Sequence, residues 1–293
     1  MVAERGVKLA LATCRAHPCL ADDDRLLRDA LQARGVVVEP AVWDDADVTW
    51  TGVDAVVVRS TWDYHLRPDA FDGWIGMLER VGVPLWNPPG VLRWNARKTY
   101  LKELEAVGVP TVPTRFIEGE DASLEAVLDE AGWDEVVVKP VVSASAHETW
   151  RASRATVARE HDRYSRLLAE GPLMVQPFLT GIVTEGEWSL CFFDGRYSHA
   201  VLKRPRPGDF RVQADHGGQY APAEPPPGVV DQADAALRAA GRRTLYARVD
   251  GCMVDDAFRL MELELLEPGL FLSTHPKAAD RFAEAVIRAV RQE

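Results

Sequence analysis

"LMELELLEP", Leu260–Pro268, is the stretch on which the reading of this chain turns. Successive side chains of a strand alternate faces, so Glu262 and Glu264 share one side while Leu263 and Leu265 share the other. One face belongs to a core and the other is strongly negative. Two like charges at that spacing repel unless something cationic lies between them, and burying either one alone is costly. The stretch is therefore either a solvent-facing strand edge or one wall of a divalent-cation site.

The rest of the chain has to supply the setting. Its 293 residues are 47% hydrophobic and 27% charged, enough for two or three domains with ample core and without the composition of a disordered protein. A formal net charge of -11 argues against nucleic acid or an anionic membrane as partner, so any phosphate site has to be assembled from particular Lys and Arg residues. No run approaches the roughly 18 to 20 apolar residues of a membrane span. The start, MVAERGVKLALAT, enters a strand without a cleavage pattern, and the expectation is a cytoplasmic protein. Cys14, Cys19, Cys191 and Cys252 form no CxxC pair, which favours reduced, buried or incidental thiols over disulfides or a zinc knuckle.

Strand and helix alternate through the first third: VKLALATC, a helix from Asp22, VVVEPAVW, AVVVRST, a helix through FDGWIGMLERVG, and PLWNPP. The helices carry apolar stripes and run to Gly35 and Gly82, suited to left-handed caps. This predicts an α/β domain over 1–90 with an open parallel sheet, whose ligands would sit at the carboxyl ends of strands near Thr13, Arg59 and Asn87. A helix is expected over Arg93 to Val107. A second unit, 108–180, follows with TVPTRFI, EVVVKPV and LMVQPFL around helices near Leu124 to Ala131 and Val157 to Ala169. The remainder, 181–293, grouped with 91–107, reads as hairpins turning at Asp194-Gly195 and Asp255-Asp256 and a closing basic-ended helix.

GxGxxG, GxxxxGK[ST], HExxH and GxSxG are all absent. Charged residues stand instead where core strands would not want them. Lys139 ends Val136-Val137-Val138-Lys139-Pro140 and either aims its ammonium into a cleft or snorkels to solvent. Lys98 lies in WNARKTYLKEL, where a surface lysine is the plain alternative. Lys203 and Arg204 close a strand; Arg211, Arg248 and Asp250 are assigned to strands facing the glutamates. Magnesium commonly takes one or two carboxylates plus substrate phosphates, which suits Asp250, Glu262 and Glu264 on neighbouring strands.

Lys98, "VVVKP", a small-residue loop, "MVQPFL", "EGEWSL", "RVDG" and "MELELLEP" follow one another in an order that resembles the ATP-grasp carboxylate ligases over nearly the whole chain. The resemblance implies an ATP-grasp fold: a parallel-sheet α/β domain plus two α+β subdomains sandwiching ATP. It further implies phosphate contacts from Lys98 and Lys139, an adenine-holding segment Gln176, Pro177, Phe178 and Leu179, and a ribose or adenine contact from Glu187. Magnesium would be held by Asp250, Glu262 and Glu264, with Glu in place of the usual Asn at the last position. The phosphate-covering loop is usually glycine-rich, whereas Ser143-Ala144-Ser145-Ala146-His147 lacks Gly and its φ > 0 freedom, which points to the side chains of Ser143, Ser145 and His147.

The implied chemistry is phosphorylation of a small-molecule carboxylate by ATP, followed by attack of an amine-type nucleophile. Lys203, Arg204, Arg211 and Arg248 are the candidates for the γ-phosphate or the acyl carboxylate. "VRSTWDYH" offers Arg59, Ser60, Thr61, Asp63 and Tyr64 as a substrate rim, or as a turn with a helix cap. "DFRVQADHGGQY" reads as a mobile loop with His216 in reach of substrate, or as plain surface loop, and Glu267 is assigned to the substrate side or to a structural ion pair. "RSTWDY…ELELLEP" resembles most a branch of secondary-metabolite ligases that includes a D-cycloserine-forming cyclo-ligase, in which the nucleophile is intramolecular. An intermolecular amino-acid or dipeptide ligase, a non-catalytic ATP-binding regulator and a homo-oligomeric state stay open.

Overall fold

Residues 6–119 and 123–292 are described by the computed structural model; the first five residues of MVAERGVKLALAT lie outside them. Six elements form the first unit: β1 (Lys8–Thr13), α1 (Asp22–Gln32), β2 (Val37–Val42), β3 (Ala55–Val58), α2 (Pro68–Val81) and β4 (Leu85–Trp86). Their strands pair in parallel in the order β2-β1-β3-β4, with the apolar runs of β1 and β3 buried on both faces inside the sheet and edge strand β2 partly exposed. Gly82 caps α2 in the left-handed conformation. α1 instead ends on right-handed Ala33, with left-handed Gly35 beyond it, and its cap Ala21 gives no side-chain bond. The acids Asp22 to Asp24 crowd its first turn, where the helix dipole favours them.

The expected helix over 93–107 is two, α3 (Pro89–Asn95) and α4 (Tyr100–Ala106). Between them the Lys98 amide donates to the Val141 carbonyl at 3.0 Å, so a tertiary bond replaces the helical one. The second sheet holds β5 (Arg115–Ile117), α5 (Leu124–Ala131), β6 (Glu135–Pro140), β7 (Trp150–Ser153), α6 (His161–Glu170) and β8 (Leu173–Pro177). It is antiparallel, in the order β5-β8-β6-β7, and the short helix α7 (Thr180–Thr184) leads out of it.

The third sheet contains β9 (Glu187–Phe193), β10 (Arg196–Arg204), β11 (Gln219–Pro222), α8 (Val229–Ala239), β12 (Tyr246–Val254) and β13 (Ala257–Glu264). Its order is β11-β10-β9-β12-β13. Both hairpin turns take φ > 0, Asp194 with Gly195 and Asp255 with Asp256, since Asp tolerates the left-handed region better than most residues. α9 (Ala278–Arg291) then returns to the first unit, where Phe282 and Val286 join Leu9 and Leu27 in one core. Cys14, Cys191 and Cys252 are buried, Cys19 is exposed, and none is in a disulfide.

Candidate active site

A cleft of about 320 Å³ opens between the second and third sheets and is closed at one end by the first unit. Its charged wall follows from strand register. Lys203 of β10 lies opposite Glu187 of β9, Ser189 of β9 opposite Asp250 of β12, and Asp250 and Arg248 opposite Glu262 and Glu264 of β13. Directly opposed side chains on one face of a sheet are within reach of each other, so four strands place a lattice of charge on one surface. Behind it Leu263 and Leu265 are fully buried. The bulge at Asp250/Gly251 needs a glycine: a Cβ on Gly251 would come within 2.4 Å of the Arg259 carbonyl oxygen.

Most of these charges are already matched. Arg248 reaches both oxygens of Asp250 at 2.8 to 3.0 Å and Glu264 at 2.5 Å, while Ser189 donates to Asp250 at 2.5 Å. Lys203 pairs with Glu187 at 2.5 Å and lies 3.5 Å from Asp250. From the second sheet, Lys139 reaches Glu262 at 2.5 Å, and Lys98 donates to the Ser143 carbonyl at 2.6 Å.

Burial opposes ionisation of every one of these acids, and their neighbours decide the outcome. Arg248 and Lys203 outweigh it at Asp250, held well below the usual carboxylate range; Lys139 and Lys98 outweigh it at Glu262, held down at about 2. At Glu264 burial wins over Arg248, with Asp250 and Glu262 adding repulsion, and the carboxyl rises to about 8. Glu267, buried and only partly offset by Lys98, rises to about 7. Burial pushes Glu187 up as well, against Lys203, so three acids in the cleft lack enough positive charge, and at Glu264 a divalent cation would supply it.

Lys98, Lys139, Ser143, Ser145, Glu187, Lys203, Arg211, Arg248, Asp250, Glu262, Glu264, Glu267 and Tyr64 all line the cleft. So do Gln176, Pro177, Phe178 and Leu179, at the end of β8. Phe178 meets the Arg151 guanidinium, 3.8 Å from its ring centre, and Phe210, at a T-shaped 6.1 Å. Arg211 stands in the loop before β11 and not on a strand, forked onto Asp209. Among the described residues no three acidic, His or Cys side chains converge as a ready metal cage, and Asp250 is committed to Arg248. The glycine-free loop takes the left-handed conformation regardless, at Ser145 and Ala146.

Several expected site residues lie elsewhere. Arg204 is exposed, because strand alternation turns it away from the face Lys203 occupies. Arg59 is 1% exposed and bonds Asp24 at 2.8 Å and the Pro268 carbonyl at 2.7 Å, joining β3, α1 and the segment after β13 instead of forming a substrate rim. Ser60 donates to Asp24, Thr61 is fully buried, and Asp63 accepts from Trp43 at 2.8 Å. His147 is exposed with its ring 5.1 Å from His65, and His216 touches the Ser145 carbonyl at 3.3 Å; neither lines the cleft. Trp62, Asn95, Tyr100 and Phe210 line the cleft without having been singled out. Trp62 and Tyr100 were readable as aromatics beside the motifs; Asn95 carries no local signal.

The model for the N-terminal domain of D-cycloserine synthetase DcsG matches residues 9–87. Over 305 aligned positions the chain is 31% identical to the cycloserine biosynthesis protein DcsG of Streptomyces lavendulae, covering 97% of this chain and 99% of that one. It belongs to the DcsG family of ATP-grasp ligases. The crystal structure of D-cycloserine synthetase DcsG superimposes with a TM-score of 0.88 at 29% identity, over 97% of this chain and 99% of that one. The ATP-grasp ligase PsnB, solved with its minimal precursor, Mg and ADP, shares the fold: TM-score 0.64, 18% identity, 97% and 98% coverage. The three sheets are thus those of an ATP-grasp enzyme, a carboxylate–amine ligase.

Proposed function

We propose that the protein is an ATP- and Mg2+-dependent cyclo-ligase that closes a D-cycloserine-type ring. A substrate carboxylate oxygen attacks the γ-phosphorus of ATP, releasing ADP. A nitrogen of the same molecule then attacks the acyl carbon, phosphate leaves, and the nitrogen gives up a proton. The observation that supports this reading most directly is the seam at which Lys139 of one antiparallel sheet meets Glu262 of another, with Lys98 alongside. Cations from one wall and carboxylates from the other suit a nucleotide triphosphate and its metal.

Lys98 and Lys139 would hold phosphate oxygens, and Glu262 and Glu264 the Mg2+, which when bound neutralises charge on the transferring phosphoryl group. Asp250 fixes the Arg248 fork in place. Phe178 and Leu179 would receive the adenine. The two sheets and the first unit together hold carboxylate and phosphoryl group in line, and alignment alone supplies several kcal/mol of such a barrier, about 7 to 11 at its best. ADP release with Mg2+ across a panel of amino-acid carboxylates and amine partners tests the reading. ADP formed only with a carboxylate, and without a second amine, is expected; ADP release indifferent to carboxylate would overturn it.

A further inference from the structure

Of the buried and half-buried acids around the cleft, Glu187, Asp250, Glu262, Glu264 and Glu267, each but Glu267 has a cation at ion-pair distance, and the remaining acid, Asp215, is exposed. Among the described residues no Lys, Arg or His forms an ion pair with Glu267. Lys98 and Arg248 act on it through space, yet Lys98 is bonded to the Ser143 carbonyl and Arg248 to Asp250, Glu264 and the Gly269 carbonyl. Glu267 also lies beyond the end of β13, off the face that Glu262 and Glu264 share, at the end of the cleft closed by the first unit. Two aromatics of that unit line the same end. The Trp62 indole N–H donates to the Glu267 backbone carbonyl at 3.0 Å, and the buried Tyr64 lies within the field of the Glu267 carboxylate.

We propose that Glu267, framed by Trp62 and Tyr64, is the subsite that receives the substrate's α-ammonium group. A half-buried carboxylate with no ion-pair partner, set among aromatic rings, is complementary to a primary ammonium ion. The proposal rests on the cyclo-ligase reading and adds a reason for such a subsite. D-cycloserine retains a free amine, so its precursor presents two nitrogens, only one of which may attack the activated carboxyl. Holding the α-amine as an ammonium ion removes its lone pair and fixes the carboxylate relative to the reacting nitrogen.

The test is calorimetric binding of D-cycloserine and of 1,2-oxazolidin-3-one, the same ring without its amine, to the protein with ADP and Mg2+ present. The wild type is expected to prefer D-cycloserine by about tenfold, the worth of a single charge-assisted contact. In Glu267→Gln the preference should fall to within about twofold while ADP binding stays unchanged, which also reports that the variant is folded. Equal binding of the two rings by the wild type, a preference retained in the variant, or a variant whose loss lies in ADP and Mg2+ binding would each overturn the assignment. If the wild type binds ADP but neither ring, the cyclo-ligase reading itself has failed and the subsite falls with it.

Discussion

Lys139 and Glu262, 123 residues apart in sequence, are joined by a 2.5 Å ion pair that spans two sheets. In Lys139→Met the carboxylate stays behind without its partner. Glu262 keeps 22% of its side-chain surface, so the stability cost should be about 2 kcal/mol, below the 3–5 kcal/mol of a fully buried pair. Turnover should fall by at least about 100-fold, as when a single preorganised donor to a transition state is lost. Urea denaturation and ADP release check the two effects; a variant as active as the wild type would contradict the phosphate role.

Arg59 should behave differently. Arg59→Met removes the guanidinium that bonds Asp24 and the Pro268 carbonyl and leaves a buried carboxylate unpaired, at a cost of about 3–5 kcal/mol. Residual folded enzyme should keep the wild-type KM for ATP. A raised KM with unchanged stability would return Arg59 to the cleft.

Glu264 and Glu267 have carboxyls raised to about 8 and about 7, against unfolded values near 4.5. Between those limits the folded protein binds more protons than the unfolded chain, so their contribution to stability is present at low pH and lost as pH rises through 7 to 8. A divalent cation placed beside Glu264 reverses the preference there. Nucleotide binding with Mg2+ near pH 7 should therefore release protons, seen as a dependence of the calorimetric heat on the buffer's ionisation enthalpy, and Glu264→Gln should reduce that release.

His199 is 4% exposed, its Nε2 2.9 Å from the Leu270 carbonyl oxygen, and burial holds its pKa down at about 4. The unfolded chain takes up a proton near pH 6.5 and the folded one only near 4, so stability falls as pH drops through that window. The loss attributable to His199 should reach about 2–3 kcal/mol at pH 4. His199→Gln should flatten the decline in urea midpoint between pH 6.5 and pH 4.5; an unchanged slope would assign it to other groups.

Residue by residue, the sequence was most informative where side-chain parity alone decides direction. Glu262 and Glu264 had to share a face, and Lys139 at the end of an apolar run had to leave the core. Arg59 shows the limit: a cation at the end of a buried strand looks the same from sequence whether it meets a substrate or Asp24 on a helix 35 residues away. The break between α3 and α4 was hidden because the local pattern is continuous and only the Val141 carbonyl, supplied from another sheet, interrupts it. α8 has no counterpart among the elements expected from the sequence. Its buried Val229, Ala233, Ala236 and Leu237 recur at helical spacing, but small alanines give a faint stripe.

β13 ends the third sheet, and an edge strand ordinarily leaves its backbone free to pair with any extended chain. Here the Asn95 side chain accepts from the Leu265 amide at 2.7 Å and donates to the Leu263 carbonyl at 2.6 Å, while the Tyr100 hydroxyl accepts from the Leu263 amide at 2.9 Å. Further back, the Leu260 amide and carbonyl bond Pro110 and Val112. Side chains thus impersonate a missing neighbour strand. A slip of one residue would carry both glutamates into the apolar layer and Leu263 into the cleft, and these clasps forbid it. The helix break that carries Lys98 therefore also sets the frame in which the acidic strand is read.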